Sequence, residues 1–272
     1  MHNILIVIVL YNENLFSCMT YNTLISSTKD CGVYIYDNSP QPQHLPKDIP
    51  TSWEYISNTT NPGLSYAYNR AAEYALENGY EWILLTDQDT VFAPHIIDKY
   101  IDARKKNPDI KLFVPQFITS QDKWLSPIRL WHNINLPTHK MKTGRYSLHD
   151  YSPINSGIMV NVDSFCHTGG YDESVFLDYS DFQFIEKFKE KYPDFFLLNT
   201  ICVQNFSNEV QSKEQKFNRY RLFCRSLRDF RCSSLLGKLG IHFIVIKRCC
   251  SLSIRNLSFL PISIIFNSYF KR

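Results

Sequence analysis

The first apolar run of the chain, Ile4 to Leu10, is seven residues long without a polar break, and YNEN follows it at once. A run of that length predicts a strand buried on both faces and is too short to cross a bilayer. VYIYDNSP at 33–40 has the same form, a strand ending in a turn, and WEYIS at 53–57 reads as a third, short strand. Residues 15–27 predict a helix between the first two, and Pro and Gln crowd residues 40–50. After the loop NTTNPG, Leu64, Ala67, Tyr68, Ala71 and Ala75 recur at i, i+3, i+4, i+7 and i+11, one face of a helix that Gly79 would stop. WILLT at 82–86 is again a buried strand, 93–104 predicts a helix, and KLFVPQFI (111–118) and INSGIMVNV (154–162) predict two more strands. Residues 119–150 have no clear periodicity and read as a functional loop region. In 167–193 a glycine turn precedes a helix that contains Phe184, Ile185 and Phe188.

Strands alternating with helices predict an α/β sheet, and such sheets bind ligands beyond the carboxyl ends of their strands. Tyr11, Asp37 and the pair Asp87/Asp89 all fall at such ends. In LLTDQDT the two aspartates are one residue apart, and on an extended chain they point to the same side. A hard divalent cation relieves their repulsion and can carry a phosphate on its remaining positions. A solvated acidic loop gives the same short motif, so the convergence of three strand ends carries the reading. Asp178 and Asp181 flank Tyr179 farther on, and Asp181 falls in the first turn of a helix, where the dipole favours a carboxylate. A helix cap made by Asp181 or Ser180 accounts for that spacing equally well.

Composition adds little until charge is divided along the chain. With 272 residues, 44% hydrophobic and 20% charged, the chain is long enough for one large domain with an appendage. Eight cysteines without a C-x-x-C pair, and an N-terminus without signal-peptide features, predict reduced thiols in the cytoplasm. The net charge of +3 conceals an acidic body and a basic tail: 212–272 holds 13 Lys or Arg against two acids, and 1–211 holds 16 against 24. Within the tail, LGIHFIVI (239–246) and LSFLPISIIF (257–266) are bordered by basic residues and too short to span a bilayer. Basic segments with broken apolar faces suit a membrane interface better than nucleic acid, with packing against the main domain or a partner as the alternative.

Taken in order, VIVLYNEN, YDNSP, NPGLSYAYNRAAEYA, LLTDQDT, INSGIMVNVD and GGYDESVFLDYSDFQF resemble a family 2 glycosyltransferase of the GT-A type over about residues 4–200. DQDT is similar to the D-Q-D-S of the bacterial rhamnosyltransferase-like branch. The resemblance implies a Rossmann-like αβα sandwich with a mixed, mostly parallel central sheet. It divides the chain into a catalytic domain at 1–210, with a nucleotide-sugar half (1–118) and an acceptor half (119–210), and a basic helical region at 211–272.

It also implies residue roles. Tyr11, Asn12 and Glu13 border the nucleotide, Asp37 accepts the ring N–H of uracil or thymine, and Asn61, Gly63 and Asn69 line the nucleotide site. Asp89 contacts Mn2+ or Mg2+ directly, Asp87 contacts the ribose or a metal-bound water, and Gln88 packs beneath the donor sugar. Asn155, Ser156 and Gly157 form the sugar pocket; Asp181 is the general base, with Asp178 as the alternative or as an acceptor-orienting group. Arg219 and Arg225 meet the acceptor or a phosphate. Inverting transfer from dTDP-β-L-rhamnose would give an α-L-rhamnoside. The acceptor would be a lipid-linked glycan of O-antigen or capsule synthesis at the inner face of the cell membrane. UDP-glucose, UDP-galactose or UDP-galactofuranose are alternative donors, and a nucleotide-sugar-binding protein without catalysis is the alternative function; nucleic acid is not a partner. Two departures stand out. Gln183, Phe184 and Lys187 occupy the places of a Glu, an aromatic and an Arg, and Gln204, Asn205 and Asn208 lie where a metal-ligating His is expected.

Overall fold

The structure is a computed structural model that describes residues 3–28, 30–45, 49–205, 212–232 and 234–271. β1 (Ile4–Leu10) is buried along its whole length. Its alternate side chains feed two different apolar cores: Ile4, Ile6, Ile8 and Leu10 join one, and Leu5, Val7 and Val9 the other. A strand sandwiched between helical layers has no solvent face, so it needs apolar side chains at both parities. A short helix α1 (Met19–Thr23) leads to β2 (Gly32–Asp37) and β3 (Trp53–Ser57), and α2 (Leu64–Glu77) crosses to β4 (Trp82–Asp87). α2 lays Ala67, Tyr68, Ala71, Ala72 and Ala75 against the sheet, the face read from its 3.6-residue period.

Next in the chain come β5 (Thr90–Val91), α3 (Ile96–Lys106), β6 (Leu112–Thr119), β7 (Trp124–Ser126), β8 (Ile128–Trp131), β9 (Ile134–Asn135), β10 (Gly144–Ser147), β11 (Tyr151–Ser152) and β12 (Ile158–Asn161). They are followed by α4 (Val162–His167), α5 (Ser180–Phe188) and β13 (Asp194–Gln204). The main sheet runs β10-β13-β6-β12-β4-β1-β2-β3, with β5 on β13 and β7 on β6. β1 is parallel to β2 and β4, β2 to β3, and β13 to β6, whereas β12 is antiparallel to both β4 and β6. The carboxyl ends of the parallel strands therefore share one edge, and the amino end of β12 reaches the same edge. This is the mixed, mostly parallel α/β sheet that the alternating pattern predicts.

Three sequence expectations change, and one strand is added. The helix expected over 15–27 is confined to Met19–Thr23 with a 3-10 turn after it, because Cys18 already caps it. Residues 119–150 are not a plain loop: they hold β7 to β10, and β8 and β9 join β11 in a separate three-stranded sheet. Within 154–162 only Ile158–Asn161 is strand; residues 154–157 approach the sheet edge as a loop, and the Asn161 side chain caps α4. β13, the longest strand at 11 residues, is not predicted, because its in–out alternation slips phase once, at Leu197 and Leu198, where its register with β6 shifts.

The basic region is helical: α6 (Lys213–Asp229), α7 (Leu235–Asn256) and α8 (Leu260–Ile265), the last continuing into a π-type turn at Phe266–Phe270. A capping box between Ser212 and Gln215 starts α6. The three helices enclose their own apolar cluster, with Phe217, Tyr220, Phe223, Ile241, Val245 and Ile264 among its members, and Tyr179 packs against it from the α5 side. Among the described residues, no helix is long and apolar enough to cross a membrane.

Candidate active site

The DQDT turn is fixed from both sides. Asp87 ends β4, and its register partner on β1 is Val9, so Tyr11 emerges beside it. Gln88, expected beneath the donor sugar, is engaged at the end of β1. Its amide pairs with the Tyr11 backbone, accepting from Tyr11 N at 2.8 Å and donating to Tyr11 O at 3.2 Å. The Thr20 hydroxyl, from α1, donates to the Asp87 carbonyl. Tyr11 itself is left 48% exposed at the rim.

Asp87 and Asp89 then receive different partners. Asp87 Oδ1 accepts from the buried Tyr68 hydroxyl at 3.1 Å. Burial raises the Asp87 pKa, and the charge of Asp89 adds to it. Asp89 is also raised by burial, but Gln204 Nε2 donates to its Oδ1 at 2.5 Å and offsets part of that rise. Gln204 Oε1 in turn accepts from Thr90 Oγ1 at 2.7 Å, and Thr90 Oγ1 lies 2.6 Å from Ser156 Oγ. Ser156 Oγ accepts from Asp87 N at 3.2 Å, closing a ring of polar contacts around the turn. Thr90 has one hydroxyl proton and gives it to Gln204, so Ser156 is the donor to Thr90. Gln204, at the place of the expected His, thus binds Asp89 directly. Asn205 donates to the Met19 sulfur at 3.5 Å, and Asn208 lies outside the described residues.

Asp181 approaches from the other side. It lies in the first turn of α5 but does not cap it: the capping position is Tyr179, in the left-handed region at φ 67°, without a side-chain cap. Burial is the main cause that pushes the Asp181 carboxyl up to about 7, the Phe182 N–H opposes it, and Asp178 adds to it. The two acidic sites are joined by a rigid relay. The Tyr68 ring lies 5.2 Å from that of Tyr171, Tyr171 OH donates to Asn155 Oδ1 at 2.6 Å, and Asn155 Nδ2 donates to Ser180 Oγ at 3.1 Å. Asp181 also contributes to the raised pKa of Asp87. Asn155 therefore sets the start of the helix that carries Asp181. Tyr171 is locked in turn by Phe184, stacked at 4.6 Å and 5°.

Gly157 holds the 154–157 loop against the sheet. Its φ of +81° and the Phe117 ring 2.9 Å from where a Cβ would lie exclude a side chain there.

Other expected site residues are spread more widely. Asp37 is fully buried; Oδ1 accepts from Ser39 N at 2.9 Å, and Oδ2 from Tyr55 OH at 2.8 Å and Gln43 Nε2 at 3.1 Å. Three donors of the chain itself thus engage the carboxylate that the resemblance assigns to a pyrimidine N–H. Asn12 N donates to Ser39 Oγ at 2.8 Å, and Glu13 O accepts from Gln43 Nε2 at 2.7 Å, so the first strand's end is tied to the same knot. Asn61 and Gly63 both have positive φ, but the group that approaches Gly63 is Phe176, whose carbonyl would lie 2.7 Å from an added Cβ. Asn69 clasps the Tyr171 backbone, donating to its O at 3.1 Å and accepting from its N at 2.9 Å. Its amide is thereby committed to positioning Tyr171. Arg219 pairs with Asp178 at 2.7 Å, which turns it toward the acidic pair, while Arg225 is exposed on α6. Among the described residues, Asp178 Oδ2 is buried without a hydrogen-bond partner. Tyr68, Tyr171 and Thr90 were unread as site residues. Tyr68 had a signal, a hydroxyl on the buried face of α2, but an aromatic at helical spacing reads first as core.

The sequence model described as glycosyl transferase family 2 matches residues 5–165, more than half of the chain. The chain belongs to that family. A curated member, dTDP-rhamnosyl transferase RfbF of Shigella flexneri, is 30% identical over an alignment of 190 residues that covers 66% of this chain and 60% of that protein. The chain thus matches less than two thirds of that relative's length. Among solved structures, the mannosyltransferase PcManGT of Pyrobaculum calidifontis, in complex with GDP-Man and Mn2+, superposes with a TM-score of 0.54 at 12% identity, over 96% of this chain and 73% of that one. S. aureus TarS superposes at 0.52 and 15%, over 94% of this chain and 45% of TarS. The fold is accordingly the GT-A fold.

The donor chemistry of the family 2 site fits a divalent cation. Two carboxylates whose pKa values are raised by burial, one of them also by its neighbour's charge, are short of positive charge. Among the described residues no three His, Cys, Asp or Glu side chains cluster closely enough to hold an ion. A cation held by Asp87 and Asp89 would therefore complete its shell with substrate phosphate and water, the habit of Mg2+ in particular.

Proposed function

We propose that the chain is an inverting, metal-dependent glycosyltransferase that moves L-rhamnose from dTDP-rhamnose to a saccharide on a lipid carrier, in surface polysaccharide synthesis. The observation that carries this reading is the pair of raised carboxyls, Asp87 and Asp181, held apart by the Tyr68–Tyr171–Asn155–Ser180 relay. The RfbF likeness and the DQDT turn support rhamnose as the sugar.

Asp181 takes the proton of the acceptor hydroxyl as its oxygen bonds to the anomeric carbon, and the bond to the diphosphate breaks on the opposite face. A carboxyl near pH 7 is well matched to that task, since the base must be ionised yet still basic. Asp178, anchored through Oδ1 by Arg219, keeps Oδ2 for a second hydroxyl of the acceptor. Asp89, oriented by Gln204, and Asp87, oriented by Tyr68, would hold the cation. When bound, that ion offsets charge on the departing diphosphate. Tyr11 offers an exposed ring for the base to stack on. The chain works as a peripheral protein on the inner face of the cell membrane, reached through its basic helices.

The test is a donor screen with mass analysis of the product, accompanied by melting shifts with dTDP and UDP, each with Mn2+. dTDP should stabilise more than UDP, and dTDP-rhamnose should yield a product heavier by one deoxyhexose. Equal shifts with product only from a UDP-hexose would replace rhamnose with that sugar.

A further inference from the structure

Outside the site, the unexplained chemistry is concentrated in the last helices. From Phe230 to Arg272 the chain carries seven Lys or Arg and no Asp or Glu. α7 buries one stripe, including Gly237, Ile241, Val245 and Cys249. A second apolar stripe faces outward: Leu235, Leu239, Phe243, Ile246 and Ile254 are exposed by 74, 55, 52, 47 and 74%. Their spacing of i, i+4, i+8, i+11 and i+19 keeps them within about 100° of the helix circumference. α8 and its π turn repeat the pattern with Phe259, Ile262, Phe266 and Phe270, at i, i+3, i+7 and i+11 and 41% exposed or more. Lys238, Lys247, Arg255 and Lys271 are exposed among them. Single exposed apolar residues are ordinary on a protein surface, but two ordered stripes are not.

We infer that the outward stripes of α7 and α8 form an in-plane docking face for an anionic lipid bilayer. The inference rests on the lipid-carrier reading above and says which surface meets the lipid. Charge selects the occupant. A second copy would bring seven like charges against seven with no acid to meet them, whereas anionic headgroups supply the missing counter-charge. The helices lie in the interface with their apolar side chains in the acyl boundary, since α7 carries four cations within its 22 residues. Docking there also orients the acid pair. Gln183 of α5 exchanges two hydrogen bonds with the Arg231 backbone just before α7, and the Arg248 guanidinium lies over Phe223 at 4.1 Å. The helix bearing Asp181 is therefore tied to the lipid-facing layer.

The test is co-sedimentation of the full chain with vesicles of phosphatidylcholine alone or mixed with phosphatidylglycerol, at low and high salt. The mixed vesicles should capture the chain, less at high salt. Phe243→Ser with Ile246→Ser, and separately Lys238→Glu with Lys247→Glu, should each weaken capture about tenfold or more. All of these side chains are exposed, so melting temperature and the dTDP shift should stay at wild-type values. Wild-type-like capture of the Phe243/Ile246 variant would overturn the inference. So would no capture of the wild type, or a wild-type dimer in light scattering that the same variant dissociates. A wrong donor assignment would alter the nucleotide shift and leave partition unchanged, so the two failures are distinct.

Discussion

Replacing Asp181 with Asn tests whether the carboxyl is there for chemistry or for the fold, because the two roles predict opposite changes in stability. The folded chain raises this carboxyl to about 7, mainly by burial. Its value in an unfolded chain is about 3.9, so the shift of about three units corresponds to at most about 4 kcal/mol. The sign follows from proton counting: between the two values the folded chain keeps a proton that the unfolded chain has lost. Stability from this group is complete below about pH 4 and is lost as pH rises through about 7. Asn cannot ionise and escapes that loss. In urea titrations with EDTA present, Asp181→Asn should gain about 1.5 kcal/mol over wild type at pH 5 and about 4 kcal/mol at pH 8. Transfer should meanwhile fall by about 10²–10⁴. Wild-type transfer should rise with pH through about 7 as the base ionises. A stability gain that does not grow between pH 5 and 8, or transfer that persists at the wild-type rate, would refute the reasoning.

Two other substitutions probe the opposite side of the site. Gln204→Ala removes the donor to Asp89 and the acceptor of Thr90; dTDP binding with Mn2+, measured by calorimetry, should weaken about tenfold, and an unchanged affinity would mean Asp89 needs no orienting partner. Gly157→Ala forces a Cβ against Phe117 at a φ of +81°, and urea unfolding should register a loss of about 2–3 kcal/mol; a loss below about 0.5 kcal/mol would show that the loop yields.

The legible parts of this sequence are those where one force dominates. β1, β2 and β4 are buried on both faces, so unbroken apolar runs announced them, and α2 wrote its core contact into a 3.6-residue period. β13 was illegible because its surroundings change along its length: it pairs with β10, β6 and β5 in turn, and its two-residue alternation slips phase at Leu197 and Leu198, which breaks the period a strand is read from. The candidate site divides in the same way. Asp87 and Asp89 stand out as like charges side by side and Asp181 as a carboxylate in the first turn of a helix, and the structure sets all three in half-buried positions. Tyr68, Thr90 and Tyr171 do not stand out, since they act through contacts made 16 to 114 residues away in the chain. Asp37 shows the converse: its place at a strand end was read correctly, but nothing local reveals that Gln43 and Tyr55 close over it.

The link between Gln183 and the Arg231 backbone reaches beyond the geometry of one helix. Proteins built from separable parts can exchange those parts, and a tail that only carried an address could be swapped freely between relatives. Here Gln183 spends both ends of its amide on the tail, and Tyr179, two residues before Asp181, rests its ring against Phe223 and Phe230. A chimera joined after Gln204 would inherit a foreign wall behind Asp181. Acceptor choice and catalytic competence would then have to drift together over generations, each constraining which substitutions the other can accept.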